Sequence, residues 1–453
     1  MRYLHYIIVL FFVSFYATST YAHSDISKYK LDNGLTVVVK PDHRAPVVMS
    51  LLMYHVGSSY EPSGITGISH ALEHMMFKAT KNYKSGDYSQ IISENGGSLN
   101  AFTSTDYTGY HVQISKDKLP IVLKLEADRM ANLVIKQQDF VKEIEVVKEE
   151  RHLRTENVPE ALTFEQFQAA AFLGIPYHNP IVGWPSDLDN MQVADIKNWY
   201  QTWYRPNNAT LVIVGDVQPQ EVMKLANEYF GPIKPNTIPT TKNFKAVPTY
   251  GIRKIIVERP AEVPLLLIGY NVPSVVTAEN SWEPYALNLL AGVLSYGDSS
   301  RFVKHLIRQQ QIAVSAAAHY GLYYRLPYLF IIQATPASNT SIDQLQSAIL
   351  NEVKQLQDNL IEPNELEKIK ALTIANDVYE TDSISKQAMK LGIFFSIGLS
   401  SDETEHYKRE ILKITPEQIQ AVARKYLIAS QMTQAILKPQ SLNPNNPITR
   451  EKK

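Results

Sequence analysis

The chain has 453 residues, a formal net charge of −1, 45% apolar and 20% charged residues, and no cysteine. This near-neutral composition is typical of a soluble globular protein, and without a basic bias we expect no nucleic-acid partner. The absence of cysteine excludes disulfides and a lipid anchor on an amino-terminal cysteine. Because one hydrophobic core rarely serves more than about 250–300 residues, we expect at least two domains.

Residues 1–22 have the pattern of a cleavable secretory signal. Arg2 precedes an apolar run over residues 6–16, and small and polar residues follow as far as Ala22. The run is too short to span a bilayer comfortably, and the lack of further arginines argues against a mitochondrial transit peptide. We therefore expect an exported chain without a stable membrane span after cleavage, periplasmic in a Gram-negative bacterium and secreted otherwise. An uncleaved membrane anchor is the alternative.

The segment HALEH, from His70 to His74, places two imidazoles and a carboxylate on one predicted helix. Positions four apart lie one above the other, so His70 and His74 can bind the same metal ion. Glu73 lies beside them and could take a proton from a metal-activated water. The order H-x-x-E-H is the inverted form of the H-E-x-x-H zinc helix. Since chance produces such a pattern in roughly one or two per hundred chains of this size, the motif alone is only suggestive.

The segment GGSLNAFTSTDYTGYHVQIS, residues 96–115, begins with a break at two glycines. The alternating, β-branched and aromatic pattern that follows predicts a strand. The next predicted helix, Asp139 to Glu156, carries a surplus of carboxylates. Glu143 and Glu150 are seven residues apart and share a face of this helix, whereas Glu149 is turned about 100° from Glu150. A third metal ligand could come from this helix.

These segments together resemble the pitrilysin and insulinase family of inverzincin zinc peptidases, nearest to its bacterial branch, which is similar to mitochondrial processing peptidase. In that family a ligand Glu follows H-x-x-E-H in a V-[VI]-x-x-E context, and Val146 to Glu150 fits this context. Glu149 is the alternative ligand. The resemblance implies an exported metalloendopeptidase that cleaves unfolded peptides or small protein segments.

The resemblance also implies the roles of individual residues. One zinc ion per chain would be bound by His70, His74 and Glu150, with Glu73 as general base and Glu143 in a supporting role near the ligands. Zinc is the default for such a site, although these ligand types also suit cobalt or manganese.

Family members have a very similar G-G-x-x-N-A-[FY]-T segment, which forms an edge strand beside the zinc and pairs with the substrate peptide. By that resemblance the substrate-binding residues are Asn100, Ala101, Phe102 and Thr103. The alternative is that Asn100 and Thr103 belong to a solvated turn.

The pattern further along the chain predicts a helix from Val193 to Trp203, a strand from Ala209 to Val214 and a helix near residues 218–230. A proline-containing segment then reads as a linker. We predict a zinc-bearing peptidase domain over residues 23–232, a linker over 233–250 and a homologous domain over 251–453.

The second half repeats the first in outline. TVVVKPDHRAPVVMSLLMYHVGS, from Thr36, and KIIVERPAEVPLLLIGYNVPS, from Lys254, each give a strand, a proline-containing turn and an apolar strand. Where the first half has HALEH, the second has WEPYALNLLAGVLSYG, so we expect no second metal site. The expected fold class is α+β, with two homologous α/β domains that each have a mainly antiparallel sheet flanked by helices. The resemblance implies that they form half or all of a clamshell.

Active family members carry an Arg and a Tyr, seven residues apart, in the second half. Here Ile307 occupies the Arg position and Val314 the Tyr position, and neither side chain can donate a hydrogen bond to developing negative charge. One explanation is a homologous subunit that lacks the zinc motif and supplies the Arg and Tyr. The other is that Arg308 and a nearby tyrosine replace the pair, the candidates being Tyr320, Tyr323 and Tyr324. A non-catalytic scaffold is a third reading, against which the retained H-x-x-E-H argues.

Overall fold

The structure is a computed structural model that describes residues 26–440, except 242–243, 245–246 and 248–249. The predicted signal over residues 1–22 lies outside the described residues. No helix in the described part of the chain is long and apolar enough to cross a membrane.

The first half contains one sheet and a set of surrounding helices. Its strands are β1 (Ser27–Lys30), β2 (Thr36–Pro41), β3 (Val47–Tyr54), β4 (Ser98–Thr103), β5 (Thr108–Ser115) and β6 (Ala209–Gly215). Its helices are α1 (Ile68–Met75), α2 (Asp87–Glu94), α3 (Leu119–Asn132), α4 (Gln137–Arg151), α5 (Pro159–Ala171), α6 (Pro185–Asn190), α7 (Val193–Trp203) and α8 (Pro219–Phe230).

The second half begins after the predicted linker. Its strands are β7 (Arg253–Pro260), β8 (Leu265–Val272), β9 (Ala313–Tyr320), β10 (Tyr328–Pro336) and β11 (Thr433–Gln440). Its helices are α9 (Glu283–Ser295), α10 (Ile342–Asp358), α11 (Pro363–Thr381), α12 (Ile384–Ser396), α13 (Glu403–Lys413) and α14 (Pro416–Tyr426).

The two sheets have the same topology. The first has the order β1-β2-β6-β3-β5-β4 and the second β7-β11-β8-β10-β9, so the second repeats the first without β1. The pairs β2/β6 and β7/β11 are parallel, and the other pairs are antiparallel. The predicted duplication and the predicted α+β fold class are therefore confirmed.

Each sheet is covered on one face by a helix from the other half. Helix α12 packs on β3 and β6, where Leu391 joins a buried cluster with Leu51 and Val212. Helix α5 packs on β7, β8 and β11, where Phe167 is buried against Leu267. Because both faces of the central strands are covered, β3 and β6 are almost wholly buried, which explains their continuous apolar sequences. This exchange of helices α5 and α12 between the halves joins the two halves into one packed unit.

Several predicted elements have different bounds in the structure. The single strand predicted over residues 98–115 is a hairpin, because a turn over residues 104–107 separates β4 from β5. The helix predicted to end at Glu156 is α-helical only to Arg151 and continues as a π-helical turn over His152–Glu156. The predicted helix from Val193 to Trp203 has the same bounds as α7.

Candidate metal centre

Helix α1 carries the two histidines of HALEH, and its start is fixed by backbone contacts. Gly67 precedes the helix at φ 86°, and a Cβ there would lie 2.4 Å from the carbonyl oxygen of Val182. The buried carboxylate of Glu61 accepts hydrogen bonds from the amides of Gly67 (2.7 Å) and Ser69 (2.9 Å). These amides lie at the start of the helix, where no carbonyl of the helix can accept their hydrogen bonds. Gly67, the N-cap residue, has no side chain to accept them, so the Glu61 carboxylate caps the helix instead.

Three donor groups converge at one point between α1 and α4. The carboxylate oxygen Oε2 of Glu150 lies 3.8 Å from Nε2 of His70 and 3.4 Å from Nε2 of His74. One ligand atom from each of the three residues lies within 4.8 Å of the others. Glu149, the alternative ligand, is exposed and is not part of this group. The structure thus brings together the three residues predicted to bind zinc.

This arrangement fits a tetrahedral zinc ion. Zinc bonds of about 2.0–2.1 Å to nitrogen and oxygen place neighbouring ligand atoms roughly 3.3 Å apart. The distance from Glu150 to His74, 3.4 Å, agrees with this value, and the distance from Glu150 to His70, 3.8 Å, is longer. Burial, together with the neighbouring His74, lowers the pKa of His70 to about 4. His70 is therefore neutral near pH 7, which is the state a metal ligand requires.

Two further charged side chains contact the metal-ligand group. The Glu143 carboxylate lies 3.5 Å from Nδ1 of His74, the ring nitrogen that faces away from Glu150, and it also pairs with Lys78. A carboxylate on the second nitrogen of a ligand histidine fixes the tautomer and orientation of the ring. Arg154 lies 2.5 Å from the other oxygen of Glu150 and is 78% exposed. The position of Glu143 agrees with the supporting role expected for it.

Glu73 lies on the cleft side of α1, where it is partly buried. Burial raises the pKa of Glu73, and a hydrogen bond donated by the Thr103 hydroxyl, 2.5 Å from Oε2, opposes this effect. No hydrogen bond to the other oxygen, Oε1, occurs among the described residues. That oxygen can therefore accept a proton from a reacting group.

Strand β4 forms the edge of the first sheet, because it pairs with β5 alone within the described residues. Asn100, Ala101, Phe102 and Thr103 all line the cleft that contains the metal-ligand group. Ala101 packs on the α1 side of the sheet, whereas Phe102 packs on the α12 side, as expected from the alternation of side chains along a strand. Asn100 and Thr103 lie in a strand and not in the solvated turn considered as the alternative.

The second half contributes aromatic residues to the same cleft, which has a volume of about 830 Å³. Tyr324, in the loop after β9, and Tyr328, at the start of β10, stack with ring centroids 3.6 Å apart. A Cβ on Gly321 would lie 2.3 Å from the ring of Tyr324, so a glycine is needed for the ring to lie there. The sequence predicted Tyr324 as one of three tyrosines that could replace the missing Tyr, but it did not indicate Tyr328. No local sequence pattern distinguishes an aromatic residue that lines a cleft from one that is buried in a core.

The Arg and Tyr positions of the second half lie away from this cleft. Ile307 packs on the second core, and Val314 is 65% exposed on β9. Arg308 is exposed and pairs with Asp298 at 3.2 Å, so it is not a cleft residue. Tyr320 donates to the carbonyl of Pro273, and Tyr323 contacts Glu403. Of the four residues considered as replacements, only Tyr324 lines the cleft.

Two family models match the chain. Residues 36–183 match the model described as Insulinase (Peptidase family M16), and residues 190–373 match the model described as Peptidase M16 inactive domain. The zinc protease PqqE of Helicobacter pylori is 32% identical over 437 residues, which cover 93% of this chain and 95% of the relative. An uncharacterized zinc protease of Rickettsia bellii is 25% identical and covers 91% of this chain and 98% of the relative.

Solved structures show the same fold. The crystal structure of a protease from Helicobacter pylori has a TM-score of 0.86 and 31% identity, and the match covers 92% of this chain and 100% of that chain. The periplasmic protease PqqL from Escherichia coli has a TM-score of 0.78 and 18% identity. The second match covers 95% of this chain but 50% of PqqL, so the fold of this chain corresponds to half of a longer chain.

Proposed function

Because this chain belongs to the insulinase family of peptidases, we propose that it is an exported zinc metalloendopeptidase that cleaves unfolded peptides or small protein segments. The observation that carries the proposal is the convergence of His70, His74 and Glu150, whose ligand atoms lie within 4.8 Å of one another. Its similarity to proteins named zinc proteases supports zinc as the metal.

The residues around the metal-ligand group suit amide hydrolysis. Zinc bound by the three ligands would supply a Lewis acid that activates water for attack on a peptide carbonyl. Glu73 would take a proton from the attacking water on Oε1 and deliver it to the leaving nitrogen. A carboxylate can fill this double role, because it accepts the proton as a base and returns it as an acid. Thr103 holds the carboxylate through Oε2.

The edge strand β4 explains why unfolded peptides are the proposed substrates. One side of β4 pairs with β5, and the opposite side could pair with an extended chain once Asn100, whose Oδ1 accepts from the Ala101 amide at 2.9 Å, releases that amide. Only a segment free of its own secondary structure can pair in this way. Ala101 and Thr103 lie on the α1 side of β4, so a segment paired along this edge would pass near Glu73.

A homologous subunit without the zinc motif is the proposed partner. The second half has Ile307 and Val314 where active relatives have Arg and Tyr, and neither residue lines the zinc cleft. The fold corresponds to half of PqqL, so this chain and a second chain of similar fold would together make an assembly of that size. The signal-like sequence over residues 1–22 supports export, as does the likeness to a protein described as periplasmic.

Glu73→Gln tests the proposed chemistry directly. The neutral amide of the variant cannot accept the proton, so we expect peptide turnover to fall by about 10²–10⁴-fold, the usual contribution of a general acid–base group. Zinc content per chain, measured by mass spectrometry of metals, should stay unchanged because Glu73 is not a ligand. A scaffold without chemistry would be indifferent to the change, and unchanged turnover of a zinc-loaded variant would rule out Glu73 as the base.

A further inference from the structure

A buried charged cluster connects the two halves at the end of the edge strand β4. The cluster consists of Ser59, Asp106, Tyr177 and Arg325, and we call it the Asp106 cluster. Asp106 lies in the turn between β4 and β5 and is 1% exposed, whereas Arg325 belongs to the second half and follows Tyr324 directly in the chain. The cluster is distinct from the metal-ligand group and contains none of the residues predicted from the sequence.

The hydrogen bonds of Asp106 come from three different segments. Its Oδ1 accepts from the Ser59 hydroxyl (2.9 Å) and from Nε of Arg325 (3.2 Å). Its Oδ2 accepts from the backbone amide of Arg325 (3.1 Å) and from the Tyr177 hydroxyl. A buried carboxylate with this many donors is held in one position, because any movement leaves a charge or a donor unpaired in a dry environment.

Arg325 makes contacts that reinforce this arrangement. Its Nη2 donates to the Ser59 hydroxyl at 2.8 Å, and its guanidinium lies 4.4 Å from the ring centroid of Tyr60. The amide of the following residue, Leu326, donates to the Tyr177 hydroxyl at 3.1 Å. The loop after β9 is therefore fixed to the first half through both its backbone and a charged side chain.

The cluster lies between two walls of the cleft. On one side Asp106 is three residues from Thr103, which ends β4 and holds Glu73. On the other side Arg325 adjoins Tyr324, whose ring faces the same cleft. We infer that the Asp106 cluster sets the distance between the edge strand β4 and the Tyr324–Tyr328 wall, so that Arg325 is a positioning residue for the bound peptide. This inference rests on the proposed peptidase function.

The effect acts through geometry and needs no contact between Arg325 and substrate. If Arg325 is lost, the buried Asp106 carboxylate loses its counter-ion, and the cost of leaving it unpaired favours opening of the turn over residues 104–107 to water. The end of β4 then moves relative to α1 and to Tyr324. A misplacement of about 1 Å at such a point can cost about 100-fold in rate.

The test compares Arg325→Met with a matched control, Arg301→Met. Both arginines are 16% exposed and paired with a carboxylate, but Arg301 binds Glu365 within the second half, away from the cleft. Hydrogen–deuterium exchange on the full chain should be at least about tenfold faster at residues 104–107 and 321–327 in Arg325→Met alone. Unchanged exchange at both segments would overturn the inference.

Peptide binding provides the second readout. In a zinc-loaded Glu73→Gln background, the Kd for a fluorescein-labelled unstructured casein peptide should rise about tenfold with Arg325→Met and recover in part with Arg325→Lys. Arg301→Met should leave this Kd unchanged. Equal weakening by both Met variants would show a merely structural role and overturn the inference. If the Glu73→Gln chain binds no peptide at all, the proposed function fails, while the exchange measurement still tests the Asp106 cluster.

Discussion

Glu149 and Glu150 are neighbours in the chain whose side chains have different surroundings. Glu150 reaches both histidines of α1, whereas Glu149 points into solvent. The difference follows from the helix itself, since one residue turns the side chain by about 100°. Glu149→Gln is therefore a matched control for Glu150→Gln, because the two variants lose the same charge at adjacent positions.

We expect Glu150→Gln to weaken zinc binding by at least about 100-fold, because a neutral amide replaces an anionic ligand and removal of even a supporting residue costs about 10–100-fold. Glu149→Gln should leave zinc affinity unchanged. Competition with a chromogenic chelator measures both affinities, and an equal loss in the two variants would contradict the ligand assignment.

The metal-ligand residues could be predicted because their relations are local or helical. Two histidines four apart on one helix, and two glutamates seven apart on another, share faces wherever those helices pack. Tyr324 and Arg325 are different, since Tyr324 reaches the cleft and Arg325 reaches Asp106 from a loop more than 200 residues from Asp106 along the chain. Nothing in the surrounding YGLYYRLP sequence indicates a partner so distant, and such contacts are set by the packing of the two halves.

At the level of elements, α1 depends on Glu61 for its first turn. The helix begins after a glycine, so the acceptor for its free amides comes from a carboxylate six residues before Gly67. Burial raises the pKa of Glu61 to about 7, and the bonds from the amides of Gly67 and Ser69 limit the rise. The capping carboxylate thus titrates near neutral pH while supporting the helix that carries His70 and His74.

This raised pKa gives a stability prediction. The folded state binds the Glu61 proton more tightly than the unfolded state, whose pKa is near 4.5. The stability that this protonation contributes is fully present below about pH 4.5 and is lost as pH rises toward 7. At about 1.4 kcal/mol per pKa unit, the loss is about 3 kcal/mol at most.

Urea unfolding of the metal-free chain and of Glu61→Gln between pH 4.5 and 8 measures this contribution. Burial lowers the pKa of His55 to about 4, and histidines of this kind titrate in both proteins. Their contributions therefore cancel when the free energies of unfolding of the two proteins are subtracted. We expect the stability of the wild type relative to Glu61→Gln to fall across this range. Parallel curves would show that Glu61 has an ordinary pKa.

The elements of the second half were predictable where they repeat the first. Strand β7 includes Lys254, and β8 covers the apolar run that was matched to β3. The hairpin of β4 and β5 was predicted as one strand, because its turn, STDY, lacks glycine and proline and continues the alternation. The turn is instead fixed by Asp106, whose partners lie elsewhere in the chain.

In the whole molecule, helices α5 and α12 each pack on the sheet of the other half and hold the two halves in one packed unit. Each sheet has one face covered by its own helices and one by a helix from the other half. The apolar sequences of β3 and β6 indicate burial on both faces, but they do not reveal which helix covers them. The exchange leaves the cleft at the metal-ligand group bordered by both halves, with the His70, His74 and Glu150 group from the first and Tyr324 and Tyr328 from the second.

This arrangement also bears on whether one chain is a complete enzyme. In the described part of the chain, Ile307 and Val314, at the positions where the family resemblance implies an Arg and a Tyr, lie outside the cleft that contains the metal-ligand group. Loss of one donor to developing negative charge commonly costs about 10²–10³-fold in kcat. Tyr324 is the one candidate replacement that lines the cleft.

The test uses the chain from residue 23 onward, loaded with zinc, and fluorescence-quenched unstructured peptides as substrates. We expect the chain alone to cleave them at least about 100-fold more slowly than the same chain mixed with a homologue that has the Arg and Tyr but no H-x-x-E-H. The homologue alone should be inactive, and replacing its Arg with Met should return the mixture to the rate of the single chain. Robust turnover by the single chain would contradict obligate pairing. In that case Tyr324→Phe tests its hydroxyl as the donor: a lower kcat with an unchanged KM would support this role, and an unchanged kcat would exclude it.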